Sequence, residues 1–366
     1  MEPMRVNKKI SSSKTVTLIC GRGLAPLPGL APGLFKDADK VCLVTDSNCF
    51  RKFNRAFNKM LGGYAGRTVV FRAPDGGSAK NFRTLERLLS FMLENGCSRR
   101  SLVVGAGGGS VTDLAGLGAA LYMRGVNWIS VPTTLLGQAD AGIGGKTAVD
   151  IGGVKNIAGA FYQPSLTACD TAFLNALKEK ELRTGAGELI KYALIAPGKL
   201  GRVISKNLPG ALKGQSTELA AVTAACAAFK LDVISRDERD ETGLRELLNL
   251  GHTAGHAFEA MAKGRLAHGD AVLWGLRYAA MLSLELKVMD RKYAKAVEAL
   301  LLRTEPPALA PACLDFARFS GFVRLDKKAG ARDNRFLLIE KPGSIKAVCD
   351  IPDRTLKKTL ELLKTI

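Results

Sequence analysis

The chain has 366 residues, 47% of them hydrophobic and 24% charged, with a net charge of +19. That length fits one large or two medium domains, and that apolar share suffices for a substantial core. With 39 Gly and only 6% aromatic residues, an α/β fold with glycine turns near a nucleotide is favoured over a β-sandwich. No apolar run approaches the roughly 18–20 residues of a membrane span, so no membrane partner is expected. The N-terminal MEPMRVNKKISSSKTVTLIC lacks the apolar stretch of a secretory signal. Eight Cys without CxxC spacing read as reduced, buried thiols, and the expected location is cytoplasmic. The Lys and Arg are spread along the whole chain with no aromatic-basic interleaving, so an anionic substrate or a basic surface is expected and no nucleic-acid partner.

In chain order, KVCLVTDS (Lys40 to Ser47) reads as a buried strand, and RTVVFRAPDGG as a second strand ending at Pro74, Asp75, Gly76 and Gly77. Phe82 to Glu94 has helical spacing at Leu85, Leu88, Leu89 and Met92. SLVVGAGGGS is a third strand running into glycines, VTDLAGLGAALYMRG a helix with small residues on one face, and NWISVPTT a fourth strand. Strands alternating with helices predict a doubly wound parallel sheet. After about Asp170 helical patterns dominate, over Glu179 to Ile195, Glu218 to Ser235, Leu244 to Lys263 and Asp270 to Lys287. The expected division is an α/β nucleotide domain over 1–170 and a mainly helical domain over 171–366.

Four segments carry chemistry. GAGGGSVTD (Gly105 to Asp113) follows an apolar strand and opens a helix, where bare backbone N–H groups and the helix dipole favour a diphosphate. It is not a full GxGxxG, because Ser110 stands where the third Gly belongs, and no acidic residue lies about 20 positions on. A tight strand-to-helix turn would look the same. The chain's three His, His252, His256 and His268, lie within 17 positions. The first two are four apart and share a helix face, a spacing that recurs in metal sites. Core hydrogen bonding is the plainer reading, and spacing leaves open which two would bind a metal. Glu188 stands in an apolar helix with Lys191 three residues on. It suits a metal ligand beside an anion contact, or an ordinary i,i+3 pair. GGKTAVDIGGVKN carries Lys146, Lys155 and Asn156, which suits phosphate or polyol binding or a mobile loop.

The blocks GGGSVTDLAG, YMRGVNWISVPTTLLGQAD, GGKTAVD, GVKNIAGAFYQP, GAGELIKYALI, DERDETGLRELLNLGHTAGHAFEA, AHGDAV and DKKAGARDNRFLLI together resemble the 3-dehydroquinate synthase family over nearly the full chain. The resemblance implies an N-terminal NAD-binding α/β domain and a C-terminal helical metal domain, with the active site between them. It implies a divalent metal, Zn²⁺ or Co²⁺, on Glu188, His252 and His268, with His256 facing the substrate. It places NAD contacts on Asp46, Lys80, Gly108, Gly109, Ser110, Asp113, Thr133, Thr134, Leu136, Lys146, Lys155, Phe173 and Glu181. Substrate contacts fall on Arg124, Asp140, Lys146, Asn156, Lys191, Lys230, Arg245, Asn249, His256 and Lys328.

The reaction implied is conversion of 3-deoxy-D-arabino-heptulosonate 7-phosphate to 3-dehydroquinate. It runs by oxidation at C5, β-elimination of phosphate, re-reduction, ring opening and aldol closure, in a homodimer. Another sugar-phosphate cyclase, of the 2-deoxy-scyllo-inosose or valiolone type, and a metal-dependent polyol dehydrogenase are the competing expectations. Three departures from the family pattern stand out: Gly77 in place of Glu after PDG, Ala176 to Lys178 in place of TLP, and DERDETGLR one residue longer than usual.

Overall fold

The computed structural model describes residues 3–9, 15–152, 154–324 and 334–365. It forms two compact units. The first runs to Leu177 and takes in Ala227–Arg239; the second holds Lys178–Cys226 and the residues from Asp240 onward. The break at Leu177 comes later than the change of texture near Thr171.

The elements of the first unit are β1 (Met4–Lys9), β2 (Thr15–Gly21), α1 (Leu27–Leu30), α2 (Pro32–Lys36), β3 (Val41–Asp46), α3 (Ser47–Leu61), β4 (Thr68–Ala73), α4 (Phe82–Glu94), β5 (Leu102–Gly107), α5 (Gly109–Leu121), β6 (Trp128–Pro132), β7 (Lys146–Ile151), β8 (Val154–Phe161) and β9 (Leu166–Asp170). Seven strands form one sheet in the order β1-β2-β9-β6-β5-β3-β4, parallel except for the β1–β2 pair. Every residue of β3, β5 and β6 is buried, as a sheet covered on both faces requires.

Side chains alternate between two cores, because successive residues of a strand point to opposite faces. Cys42, Val44 and Val103 pack with Leu85, Leu88 and Met92 of α4 and Leu114 and Ala115 of α5. Leu43, Val104 and Ala106 pack with Phe35 of α2 and Phe57 and Leu61 of α3. Helix starts are set by side-chain caps: Asp46 accepts from the Cys49 amide at 2.7 Å and Asn81 from that of Thr84 at 2.9 Å. The segment with Lys146 and Lys155 is an antiparallel hairpin, β7–β8, not a loop.

The second unit has α6 (Glu179–Ile195), α7 (Lys199–Leu212), α8 (Ser216–Arg236, whose last part is grouped with the first unit), α9 (His252–Met261), α10 (His268–Glu285), α11 (Arg291–Leu301), α12 (Phe316–Arg324), β10 (Arg335–Lys341), β11 (Ser344–Cys349) and α13 (Asp353–Leu362). The helix expected over Leu244 to Lys263 is broken. A 3₁₀ turn, Arg245–Asn249, ends at Leu250, and Gly251 takes φ +79° before α9 begins. That left-handed conformation favours Gly. The β10–β11 hairpin is an antiparallel addition to the expected helical texture. Its Phe336 and Leu338 join Phe258, Tyr278, Phe319 and Leu356 in the core. No helix among the described residues is long and apolar enough to cross a membrane.

Candidate metal centre and cofactor loop

Glu188 lies near the middle of α6, fully buried, in a helix whose residues from Gly185 to Ile195 are all buried. A carboxylate there needs compensating charge. Lys191, one turn on and equally buried, forms an ion pair with Oε2. Facing Oε1 are Nε2 of His252, the first residue of α9, at 3.4 Å, and Nε2 of His268, the first residue of α10, at 3.5 Å. Oε2 is held by the Lys191 ammonium, and Oε1 makes no hydrogen bond of ordinary geometry.

The imidazoles are turned by their other nitrogens. Nδ1 of His252 lies 3.3 Å from the Leu250 carbonyl oxygen, and Nδ1 of His268 lies 3.2 Å from Oε2 of Glu259. A proton held on Nδ1 on the far side would leave each Nε2 lone pair for an ion beside Glu188. One ligand atom from each of Glu188, His252 and His268 lies within 4.8 Å of the others. Bonds of about 2.0–2.1 Å to a tetrahedral metal place ligand atoms roughly 3.4 Å apart. The two carboxylate–imidazole separations match that, and Oε1 faces both imidazoles without a hydrogen bond of ordinary geometry, where an ion would serve all three. The residues present therefore fit a divalent metal. Without an ion, burial works against charge on Glu188, yet Lys191 and His252 hold its carboxyl well below the usual range. Burial likewise opposes charge on His268, but its bonds to Glu188 and Glu259 push it up to about 9.

His256, one turn into α9, is exposed, with its ring centroid 5.3 Å from that of His252 and 5.8 Å from that of His268. Arg245 is buried and Asn249 half-buried in the turn that precedes Gly251. Glu181 caps its own helix by accepting from the Lys178 amide at 2.8 Å. Lys328 lies outside the described residues. Sequence reading passed over Glu259, although it stands seven residues after His252, on the same helix face.

In the first unit the glycines between β5 and α5 divide into two kinds. A β-carbon on Gly105 would come within 2.6 Å of the Ala115 side chain, and one on Gly107 within 2.7 Å of Val111. These two let α5 lie close against the sheet. A β-carbon on Gly108 would meet only Thr134 Cγ2, at 3.5 Å, and one on Gly109 only Ala141 Cβ, at 3.2 Å. The helix mouth is thus open at Gly108, and tighter at Gly109 where Ala141 stands close, so backbone access for a diphosphate is at Gly108, which fits a dinucleotide. Thr133 donates its amide to the Gly107 carbonyl at 2.8 Å, and Thr134 Oγ1 accepts from the Gly137 amide at 3.0 Å. Ser110, next in the chain after this mouth, and Leu136 are half-buried.

Lys80 bonds to both Asp113 of α5 and Asn156 of β8. Burial pushes the Asp113 carboxyl up despite that ammonium. Asn156 takes φ +55° and donates its amide to Asp150 Oδ1 at 2.8 Å. Asp140 receives the Lys230 ammonium twice, at 2.7 Å on Oδ1 and 2.7 Å on its carbonyl. Arg124 is exposed on a left-handed turn at φ +68°. Lys146 and Lys155 are exposed on the hairpin. Phe173 packs in the core with ring centroids 5.0 Å from Phe53 and 5.9 Å from Phe57.

The family models for the 3-dehydroquinate synthase N-terminal and C-terminal regions match residues 70–184 and 185–329. A 3-dehydroquinate synthase of Hydrogenovibrio crunogenus is 34% identical over 357 residues, covering 95% of this chain and 99% of that one. Another, of Alkaliphilus metalliredigens, is 38% identical over 280 residues, covering 75% and 78%. Among solved structures, a 2-deoxy-scyllo-inosose synthase complexed with carbaglucose-6-phosphate, NAD⁺ and Co²⁺ superposes with a TM-score of 0.88 at 22% identity, over 98% of this chain and 99% of that one. That likeness speaks to the fold, and the relatives of higher identity speak to descent. The chain belongs to the 3-dehydroquinate synthase family.

Proposed function

We propose that the chain converts 3-deoxy-D-arabino-heptulosonate 7-phosphate to 3-dehydroquinate and phosphate, as a phosphate-eliminating lyase dependent on NAD and a divalent metal, Zn²⁺ or Co²⁺. The observation that carries this reading is the convergence of Glu188, His252 and His268 within 4.8 Å, in a chain of this family. When bound, NAD would take up and return a hydride, and the metal ion would polarise substrate hydroxyls.

This chain's own residues divide the remaining work. Three protein ligands leave a further coordination position open to substrate. Lys191 neutralises one oxygen of Glu188, which keeps the buried carboxylate ionised and available as a ligand. The open backbone at Gly108, at the start of α5, receives the diphosphate of the dinucleotide. On the first unit, Lys146, Asn156 and Arg124 bind anionic groups of the substrate; on the second, Lys191, Arg245 and Asn249 do so. His256, exposed beside the two ligand imidazoles, handles the proton as phosphate leaves. Lys230 and Asp140, each satisfied by the other, hold their helix and turn in place for substrate contact. A homodimer is proposed, as the family resemblance implies. The cytoplasm is the proposed location.

The test is a phosphate-release assay with heptulosonate phosphate in large excess over NAD⁺, read alongside absorbance in the nicotinamide band. About one phosphate per substrate, with no lasting NADH, is expected. Anion exchange should identify dehydroquinate as the product and so separate this reading from other cyclases. NADH accumulating in step with substrate and without phosphate would instead mark a polyol dehydrogenase.

A further inference from the structure

We infer that Glu259 is a positioning residue of the metal centre, acting through His268 to fix its tautomer and strengthen it as a donor; the inference rests on the metal-binding reading above. The two ligand imidazoles are built alike but held differently. His252 turns Nδ1 to a neutral acceptor, the Leu250 carbonyl, at 3.3 Å, whereas His268 turns Nδ1 to a carboxylate oxygen of Glu259 at 3.2 Å. Both rings then aim Nε2 at the same oxygen of Glu188.

A carboxylate opposite Nδ1 keeps the proton on that nitrogen and leaves the Nε2 lone pair for the metal. Its negative charge also raises the electron density of the ring, which a backbone carbonyl does far more weakly. Glu259 is 8% exposed, on a face of α9 where Gly255, one turn before it, and Ala262, one turn after it, are buried too. A carboxylate is costly in such a place unless its charge is used. The arrangement makes His268 the stronger of the two imidazole donors. It also ties α9, which carries His252 and Glu259, to α10, which carries His268.

The experiment uses the full chain as wild type, Glu259→Gln, Glu259→Ala and Glu188→Gln, stripped of metal by a chelator. Zn²⁺ affinity is measured by competition with a chromophoric chelator, the visible spectrum is recorded with Co²⁺, and unfolding of the metal-free proteins is followed separately. Wild type should bind one ion. Glu259→Ala should bind it about 10–100-fold more weakly. Glu259→Gln, whose amide oxygen still accepts from Nδ1 but carries no charge, should fall between, with a shifted Co²⁺ spectrum and a metal-free unfolding midpoint near that of wild type. If Glu259→Ala does not fold, the Gln variant decides. Equal affinity and an unchanged Co²⁺ spectrum in the Glu259 variants, with Glu188→Gln still losing metal, overturn the role of Glu259 alone. Absence of stoichiometric metal in wild type overturns the metal reading and this inference with it.

Discussion

Gly187 of α6 and Gly269 of α10 meet backbone to backbone. A β-carbon on Gly187 would strike the Gly269 carbonyl, and one on Gly269 would strike the Thr184 carbonyl. Each glycine is the immediate neighbour of a ligand candidate, Glu188 or His268. The close crossing therefore sets how far the carboxylate lies from the imidazole. Gly269→Ala should push the helices apart and cost about 1–3 kcal/mol by overpacking. It should also weaken Zn²⁺ binding, because Glu188 and His268 would no longer reach one ion. Denaturant unfolding and chelator competition measure the two effects, and wild-type values in both would refute the crossing as the source of ligand spacing.

Replacement of the ligand candidates should separate them from their neighbour. Glu188→Gln, His252→Ala and His268→Ala should each lose bound metal and activity. His256→Ala should retain the metal and lose rate, since its ring stands beside the cluster without belonging to it. Metal analysis of the purified variants checks this; full occupancy in His268→Ala would remove it from the ligand set.

The glycines before α5 should respond in opposite ways. Gly107→Ala places a methyl group against Val111 and should destabilise the first unit. Gly108→Val meets little protein, only Thr134 at 3.5 Å from its β-carbon. It should fold but exclude the dinucleotide. Thermal unfolding together with calorimetric NAD⁺ titration distinguishes the two, and unchanged NAD⁺ affinity in Gly108→Val would contradict the cradle. If Gly77 loosens the ribose, Gly77→Glu should tighten NAD⁺ binding.

The cysteines make a prediction about pH. Burial pushes Cys20 and Cys49 from the ordinary 9.0 up to about 12, and Cys169 well above 9.0. At pH 8 these thiols stay protonated and unreactive, while Cys349 is exposed. A chromogenic disulfide reagent should modify one thiol quickly in the folded protein and all eight after unfolding. The folded state also holds protons that the unfolded chain releases. Stability from this source is therefore intact below about pH 9 and falls as pH rises from 9 toward 12. Fast reaction of several thiols at pH 8 would show the sheet to be more open than described.

Local pattern was enough for much of this protein. Helical spacing predicted Glu179 to Ile195 to the residue, and the alternation of apolar strands with helices led to the doubly wound sheet. The glycine loop, the histidine group and Glu188 were visible as candidates, the histidines because a chain's whole supply within 17 positions is unusual without chemistry, the others only beside plain structural readings. Periodicity failed where a fold-wide constraint overrode it. Gly251 breaks what reads as one helix because α9 must start at an angle that only a left-handed residue allows, with Leu276 packed 2.9 Å from where its β-carbon would be. The hairpin β7–β8 was not legible in a segment that reads as a phosphate- or polyol-binding stretch or a mobile loop, since its strands are held by each other and not by their own periodicity. Spacing left open which imidazoles face Glu188, where the family resemblance implied His252 and His268; only the tertiary structure showed that Glu259 stands behind one of them and that Lys80 joins Asp113 to Asn156. Those contacts join residues from different elements. A chain sets its local geometry from neighbours a few positions away, but which side chains meet across elements depends on how closely the helices and strands can pack, down to a single missing β-carbon.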